Sequence, residues 1–376
     1  MSYKVVIPSA GLGSRVGPYS KFMNKALISI GEKPAISRVI DKFPESVPIV
    51  VLLGYRGDMV REVLECIYPK RDITFVEVDN YDGVGSGLGY SLLKAEKFLQ
   101  DPFIFIPNDT IIGEDLIDLD PETNGNWAAY YKKQKSDGYD TEIFRTLTID
   151  HNNYVSNFTG KGTSNSLIYI GICGIKNYKK FWENLKDPNA LSVGEVFGLK
   201  FLEKVKAIQI RDWFDCGSLN NLERAKKHFA NKNFNILEKE DESIWFCNNE
   251  VIKFSVDQSF IRDRVKRIDF LPKNMIPEIT KSGKYTYKYL KEEGNVISEK
   301  LSVNSLAQLL NTAQENLWLK RGEIDGKAKE HCYEFYKKKT IDRVNKYLQR
   351  FEEIDSIKII NEKKIESVKN LLSKVN

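Results

Sequence analysis

With 376 residues, 41% of them hydrophobic, the chain is long enough for two or three soluble globular domains, and its longest apolar runs, such as 47–53, fall far short of the ~20 residues of a membrane span. The formal net charge of +5 is carried wholly by residues 326–376, which hold thirteen Lys/Arg against eight Asp/Glu; such a basic helical tail reads as a solvated face, and no nucleic-acid partner is expected. Five scattered cysteines without CxxC spacing exclude a disulfide framework and a zinc site.

Met1-Ser2-Tyr3-Lys4 runs straight into an apolar strand at 4–9, so no signal peptide is expected and the location read is cytoplasmic. A helix at 33–43, a strand at 47–53, a helix at 58–67, a strand at 73–78, a helix at 87–99 and a buried strand at 102–107 follow. This βαβ rhythm predicts an α/β fold, a doubly wound, mostly parallel sheet with helices on both faces, whose ligands bind beyond the carboxyl ends of the strands. Past residue 114 the segments lengthen, with strands expected at 127–132, 145–149 and 167–175 and helices at 178–185, 192–200 and 219–229. The polar stretch 231–241 is the best linker, dividing the chain into domains 1–230 and 242–376. The second, smaller α+β domain should hold strands near 243–247, 250–255 and 284–289 and helices near 303–318 and 330–351. No internal repeat appears, and the sequence carries no signal of oligomeric state.

Directly after the first strand comes Ser9-Ala10-Gly11-Leu12-Gly13-Ser14-Arg15, with Lys25 ten residues past Arg15. Glycines let backbone N–H groups converge on an anion, and Arg15 and Lys25 supply cations for a polyphosphate. A glycine pair after a strand also serves ordinary tight turns. Val16 breaks the GxGxxG spacing of a dinucleotide fold, and the GK[ST] of a P-loop is missing.

The segment resembles the signature of the sugar-phosphate nucleotidyltransferases, Gly-x-Gly-Ser/Thr-Arg followed by Pro-Lys-x-Leu, here Asn24-Lys25-Ala26-Leu27. Asn24 replaces the usual proline, a change expected to alter loop stiffness and not chemistry. The resemblance implies a Rossmann-like nucleotidyltransferase fold, with Ala10, Gly11, Gly13 and Ser14 binding nucleotide and Arg15 and Lys25 catalytic. It extends to Asp109, at the end of Phe103-Ile104-Phe105-Ile106-Pro107-Asn108-Asp109, and to Asp215 in Trp213-Phe214-Asp215-Cys216-Gly217-Ser218. In the family an Asp at each place holds Mg²⁺, which prefers a few hard oxygen ligands and shares its remaining sites with phosphate. Asp109 alone could equally be a turn or cap residue; the second motif and the chain order favour the metal.

Between these elements lies Asp79-Asn80-Tyr81-Asp82-Gly83-Val84-Gly85-Ser86-Gly87, where the resemblance implies base contacts from Asn80, Gly85, Ser86 and Gly87. A flexible helix entry accounts for any one of them as well. On the acceptor side, Lys161 resembles the family's lysine for the acceptor phosphate, although Gly160 stands where an acidic neighbour is usual, and Glu195 is a candidate for an acceptor hydroxyl.

The implied reaction moves a nucleoside monophosphate from an NTP, CTP favoured and UTP next, onto a sugar-, polyol- or amino-alcohol phosphate, with release of pyrophosphate. A phosphate nucleophile is already ionised and needs no general base, which suits a chain with three histidines, none in a motif. The alternative is a non-catalytic nucleotide-binding or scaffold protein. Residues 242–351 resemble the small lobe of the choline/aminoglycoside kinases, with Lys253 in Val251-Ile252-Lys253-Phe254 placed like their ATP-contacting lysine, or an ordinary strand lysine. The His-Gly-Asp catalytic loop of such kinases is absent, so no kinase activity is expected. The combination implies precursor synthesis for capsule or other surface polysaccharide.

Overall fold

The structure is a computed structural model and describes residues 3–113, 116–134, 137–163, 165–230, 239–294, 297, 301–318, 326–350, 359–360 and 362–374. Two compact units divide the chain, Met1–Asn295 and Val296–Asn376. Among the described residues no helix is long and apolar enough to cross a membrane.

The first unit opens with the expected parallel strands: β1 (Lys4–Ser9), β2 (Ile49–Leu53), β3 (Ile73–Glu77) and β4 (Phe103–Phe105). Every residue of β2 and β4 is buried, because helices cover both faces of the sheet and leave no polar side to alternate with. Helix α1 (Ala35–Ile40) leads into β2, α2 (Gly57–Ile67) joins β2 to β3, and α3 (Leu88–Ala95) joins β3 to β4. Met59, Val60, Val63, Leu64 and Ile67 form the buried stripe of α2, at the spacing that keeps one helix face on a sheet.

Beyond β4 come the short β5 (Thr110–Ile112), then β6 (Trp127–Lys132), β7 (Thr146–Ile149), β8 (Val155–Thr159), β9 (Leu167–Ile175), β10 (Lys206–Ile210) and β11 (Trp213–Asp215). The sheet order is β8-β7-β9-β4-β1-β2-β3, with β6 paired to β9 and to β10. Strands β1 to β4 pair in parallel, whereas β9 runs antiparallel to β4 and β6. The sheet is therefore mixed, with the doubly wound part as its core. The chain leaves β1 for β2 on one side and returns to β4 on the other, a topological switch that opens a crevice beyond the carboxyl ends of β1 and β4.

Strand β9 bends to fit this crevice. Gly171 has φ +82°, the register opposite β6 shifts between Tyr169 and Cys173, and a β-carbon on Gly171 would meet Pro107 Cγ at 2.9 Å. Strands β5, β8, β10 and β11 lie outside the expected set, being short, or polar and edge-like as in Val-Ser-Asn-Phe-Thr. The single helix expected at 192–200 is two, α5 (Ala190–Val193) and α6 (Glu195–Lys200), broken at Gly194 with φ +85°. Helix α4 (Tyr178–Leu185) precedes them and α7 (Leu219–His228) closes the segment.

Residues 231–238 of the expected linker lie outside the described residues. After them β12 (Glu242–Cys247), β13 (Glu250–Ser255), β14 (Ile279–Ser282) and β15 (Thr286–Leu290) form an antiparallel sheet of order β12-β13-β15-β14, with α8 (Gln258–Lys266) between β13 and β14. This sheet does not start a separate compact unit. Trp245, Cys247, Ile252, Phe254 and Tyr285 share one core with Ile30, Leu64 and Ile67. Trp245 Nε1 donates to Ser29 Oγ at 2.9 Å, Phe246 N to Glu32 O at 2.8 Å, and Tyr285 Oη to Asp58 Oδ2 at 2.7 Å. The Glu62 carboxylate accepts from the Lys284 and Tyr285 amides and from Thr286 Oγ1. Apolar burial and buried polar bonds thus move the boundary of the compact unit from the polar linker to residue 295.

The second unit holds α9 (Val303–Asn316), started by a Ser302–Ser305 capping box, then α10 (Gly326–Cys332) and α11 (Lys339–Arg350) with a π-helical stretch, Tyr333–Lys338, between them. A two-stranded hairpin of Ile359–Ile360 and Lys363–Lys364 and a last helix, Val368–Ser373, follow.

Candidate active site

The glycine loop leaves β1 and is held shut by Asn24. This side chain is fully buried: Nδ2 donates to Ser9 O at 2.8 Å and to Tyr55 O at 2.6 Å, while Oδ1 accepts from Ala26 N at 2.9 Å and caps the turn Lys25–Leu27. Asn24 is thus a polar clamp between the ends of β1 and β2, and its exchange for proline alters more than stiffness. Across the switch point, Asn108 Nδ2 donates to Ser9 Oγ at 3.0 Å and ties the end of β4 to the same loop. Gly13, at φ +69°, turns the chain ahead of Ser14–Val16, and a β-carbon there would crowd Lys25 Cβ at 3.1 Å.

Four of the expected residues converge. Lys25 Nζ donates to Asp109 Oδ2 at 2.7 Å in a largely buried ion pair. A β-carbon on Gly217 would lie 3.0 Å from Asp109 Oδ2, 3.1 Å from Asp215 Oδ1 and 3.4 Å from Arg15 Nη2, so both carboxylates and the guanidinium face one point. Strands β5 and β11 pair antiparallel, Asp215 opposite Thr110, which brings together two segments more than a hundred residues apart. Cys216 N donates to Asp109 O at 2.8 Å and locks that pairing.

The two carboxyls are pushed in opposite directions. Burial raises Asp109, but the Lys25 charge and hydrogen bond, with Arg15 behind them, outweigh it and hold Asp109 below the usual carboxylate range. Burial and the neighbouring Asp109 charge raise Asp215, against bonds from Asn221 Nδ2 at 2.6 Å and Gly217 N at 3.2 Å and the charge of Arg15. Asn221 was not anticipated. It sits near the start of α7, six residues past Asp215, where an amide following an Asp-Cys-Gly-Ser turn is the available sequence signal.

The Lys161 pKa is lowered by burial and then by the charges of Arg15 and Arg145, with Asp215 opposing. Glu195 is buried at the start of α6, and burial lifts its carboxyl to about 7 against Arg145 and the Tyr169 hydroxyl. Arg145, whose Nη2 donates to Val193 O at 3.3 Å, carries a charge that acts on both Lys161 and Glu195 and was missed because no motif surrounds it.

The loop after β3 is built from its own bonds. Asn80 Nδ2 donates to Val84 O at 3.1 Å and Ser86 Oγ to Gly83 O at 2.7 Å, with Gly85 at φ +80°. A β-carbon on Gly87 would strike Leu191 O, so that glycine serves close packing on α5. The loop approaches the glycine loop through Tyr81: a β-carbon on Gly54 would lie 2.7 Å from Ala10 O and 2.8 Å from Tyr81 Cδ1. Gly11 has open space around its α-carbon.

Residues 5–144 match the family model of the MobA-like NTP transferase domain. The chain is 28% identical over 259 residues to the bifunctional protein GlmU of Methanocaldococcus jannaschii, a match covering 66% of this chain and 60% of that protein. It is 23% identical over 118 residues to the UTP–glucose-1-phosphate uridylyltransferase AglF of Haloferax volcanii, covering 31% of this chain and 47% of that one. The chain thus spans less than two thirds of these curated relatives. Among solved structures, a putative glucose-1-phosphate thymidylyltransferase of Bacillus anthracis superposes with TM-score 0.52 at 22% identity, over 63% of this chain and 98% of that one. The CTP:phosphocholine cytidylyltransferase of Streptococcus pneumoniae does so with TM-score 0.50 at 17% identity, over 61% and 99%. The first unit has a nucleotidyltransferase fold. Within that fold, Arg15, Lys25, Asp109 and Asp215 stand at the switch-point crevice, where α/β sheets bind their ligands.

Proposed function

We propose that this chain is a nucleotidyltransferase, moving a nucleoside monophosphate from an NTP to a phosphorylated small molecule of the sugar-phosphate type and releasing pyrophosphate. The observation that carries this reading is the convergence of Asp109, Asp215 and Arg15 on Gly217, with Lys25 paired to Asp109. The relative named as a UTP–glucose-1-phosphate uridylyltransferase supports a sugar phosphate over a polyol or amino-alcohol phosphate.

The pair of carboxylates fits Mg²⁺. Asp109 and Asp215 offer two hard oxygen donors around one point, and among the described residues no third carboxylate, His or Cys joins them, which leaves further sites to phosphate oxygens. Bound there, Mg²⁺ would neutralise charge on the reacting phosphates. Arg15 and Lys25 hold the triphosphate and offset charge that grows at the five-coordinate α-phosphorus. Lys161 and Arg145 bind the acceptor phosphate, whose ionised oxygen attacks in line without a general base, and Glu195 accepts or donates to an acceptor hydroxyl. The turn at Asn80, Gly85, Ser86 and Gly87 would take the base, a reading supported by the approach of Tyr81 to Ala10 beside Gly54.

Residues 242–290 we read as a kinase-like small lobe, from which no kinase activity is expected; the antiparallel sheet with Lys253 on β13, followed by α8, supports the likeness. A sugar nucleotide made in the cytoplasm would feed surface-polysaccharide synthesis. The test is pyrophosphate release with CTP, UTP, dTTP, GTP and ATP across sugar-, polyol- and amino-alcohol phosphates. Release with one donor and a sugar phosphate is expected, CTP and UTP being the leading donors. No release with any pair overturns the reading and leaves a non-catalytic nucleotide-binding protein.

A further inference from the structure

Strand β11 is three residues long and pairs, among the described strands, with β5 alone. Gly113 N donates to Asp212 O at 2.9 Å and Cys216 N to Asp109 O at 2.8 Å, so the residues flanking β11 turn these backbone groups to β5. Antiparallel alternation then turns the carbonyl of Trp213 and the amide of Asp215 to the opposite edge, which has no strand beside it. One side chain takes both. Tyr139 Oη donates to Trp213 O at 3.3 Å and accepts from Asp215 N at 3.5 Å, standing where a third strand would otherwise satisfy these groups.

The Tyr139 ring is buried, with its centroid 4.8 Å from that of Trp213, and with Phe144 and Tyr131 edge-on at 5.9 and 6.0 Å. The Arg224 guanidinium lies 4.5 Å from the ring centroid. Arg224 is on α7, three residues past Asn221, a spacing that keeps both on one helix face. Asn221 Nδ2 bonds to Asp215 Oδ2 at 2.6 Å, and Arg224 also donates to Asp137 O, at the start of the segment that carries Tyr139. The Asp215 main chain is thus held by Tyr139 and its carboxylate by Asn221, and Arg224 joins the two supports.

We propose, on the reading of Asp109 and Asp215 as Mg²⁺ ligands, that Tyr139 is a positioning residue: its hydroxyl fixes the outer edge of β11 and so aims the Asp215 carboxylate at the point that Asp109 also faces. Two carboxylates serve one hard cation only while their oxygens converge, and a group that fixes a ligand acts on metal affinity without touching the ion. The Tyr139 hydroxyl bonds to main-chain groups of β11, the place from which such an effect is exerted.

Tb³⁺ tests this on the full chain without donor or acceptor. It is a hard, oxygen-seeking ion, and Trp213, two residues from Asp215, can pass excitation energy to it. Tryptophan-excited Tb³⁺ emission should give a dissociation constant for a site that Asp215→Ala abolishes. Tyr139→Phe keeps the ring, with its aromatic and Arg224 contacts, and removes only the hydroxyl. Its Tb³⁺ dissociation constant should rise roughly tenfold, the usual effect of losing an outer support of a metal ligand. A hydroxyl that serves packing alone would lower the urea midpoint and leave that constant unchanged, and this result overturns the positioning role while the metal site stands. Wild-type protein without an Asp215-dependent Tb³⁺ site overturns the metal reading and the positioning role together.

Discussion

Replacing Glu195 with glutamine tests the electrostatics of its buried surroundings without touching their shape. The Glu195 carboxyl is buried, and burial raises its pKa from 4.5 to about 7. The folded protein therefore holds a proton between these values that the unfolded chain has released, and native stability falls as pH rises from 4.5 to 7. Glutamine, of the same shape and without charge, has no such loss. At 1.36 kcal/mol per pKa unit the gap corresponds to about 3 kcal/mol, reached once both states of the wild type are ionised. Glu195→Gln should match the wild type in urea unfolding near pH 4.5 and exceed it by about 3 kcal/mol at pH 8. An equal difference at both pH values, or a less stable variant at pH 8, would refute burial as the cause and point to a neighbour that pairs with the carboxylate.

Asp109→Ala and Asp215→Ala should each lower turnover by roughly a hundredfold or more with Mg²⁺ present, by loss of a charged ligand at the reacting phosphates, and near-normal pyrophosphate release from either variant would remove the metal assignment. Asn221→Ala removes a hydrogen bond to the ionised form of Asp215 and should raise its pKa further, so the acid limb of the rate profile should move to higher pH. An acid limb that stays in place while the rate falls would make Asn221 purely structural. Asn24→Ala strips three buried hydrogen bonds and strands the carbonyls of Ser9 and Tyr55, at a cost of about 3 kcal/mol or more, read as a lower urea midpoint. A loss below about 1 kcal/mol would mean that water replaces the clamp.

Much of the first unit was legible in the chain because its strands are continuous apolar runs between helical periods, the pattern of a sheet covered on both faces. The strands that escaped notice are those whose partners are remote or whose faces are half wet. Thr110–Ile112 is three residues long and pairs only with Trp213–Asp215, and Val155–Thr159 is an edge strand with polar alternation. The broken helix at Gly194 escaped because helical periodicity continues across it, while the positive φ that stops it is a backbone property. On the site, the glycine loop and two aspartates were read from motifs. Arg145, Asn221 and Tyr169 sit outside any motif and matter only through what they face.

What the sequence determines by itself is the chemistry on offer: a glycine loop beside two cations, and one aspartate at the end of a buried strand. These are local, since loop geometry and strand burial follow from neighbouring residues. Tertiary structure alone decides that Asp215 reaches Asp109, through an antiparallel pairing across a hundred residues, and that Asn24 clamps two strand ends. It also decides that residues 242–290 complete the first compact unit, against the polar linker that suggested a boundary. The reason is the same in each case: a buried carboxylate, amide or indole is settled by the partner that satisfies it, and that partner comes from a distant part of the chain.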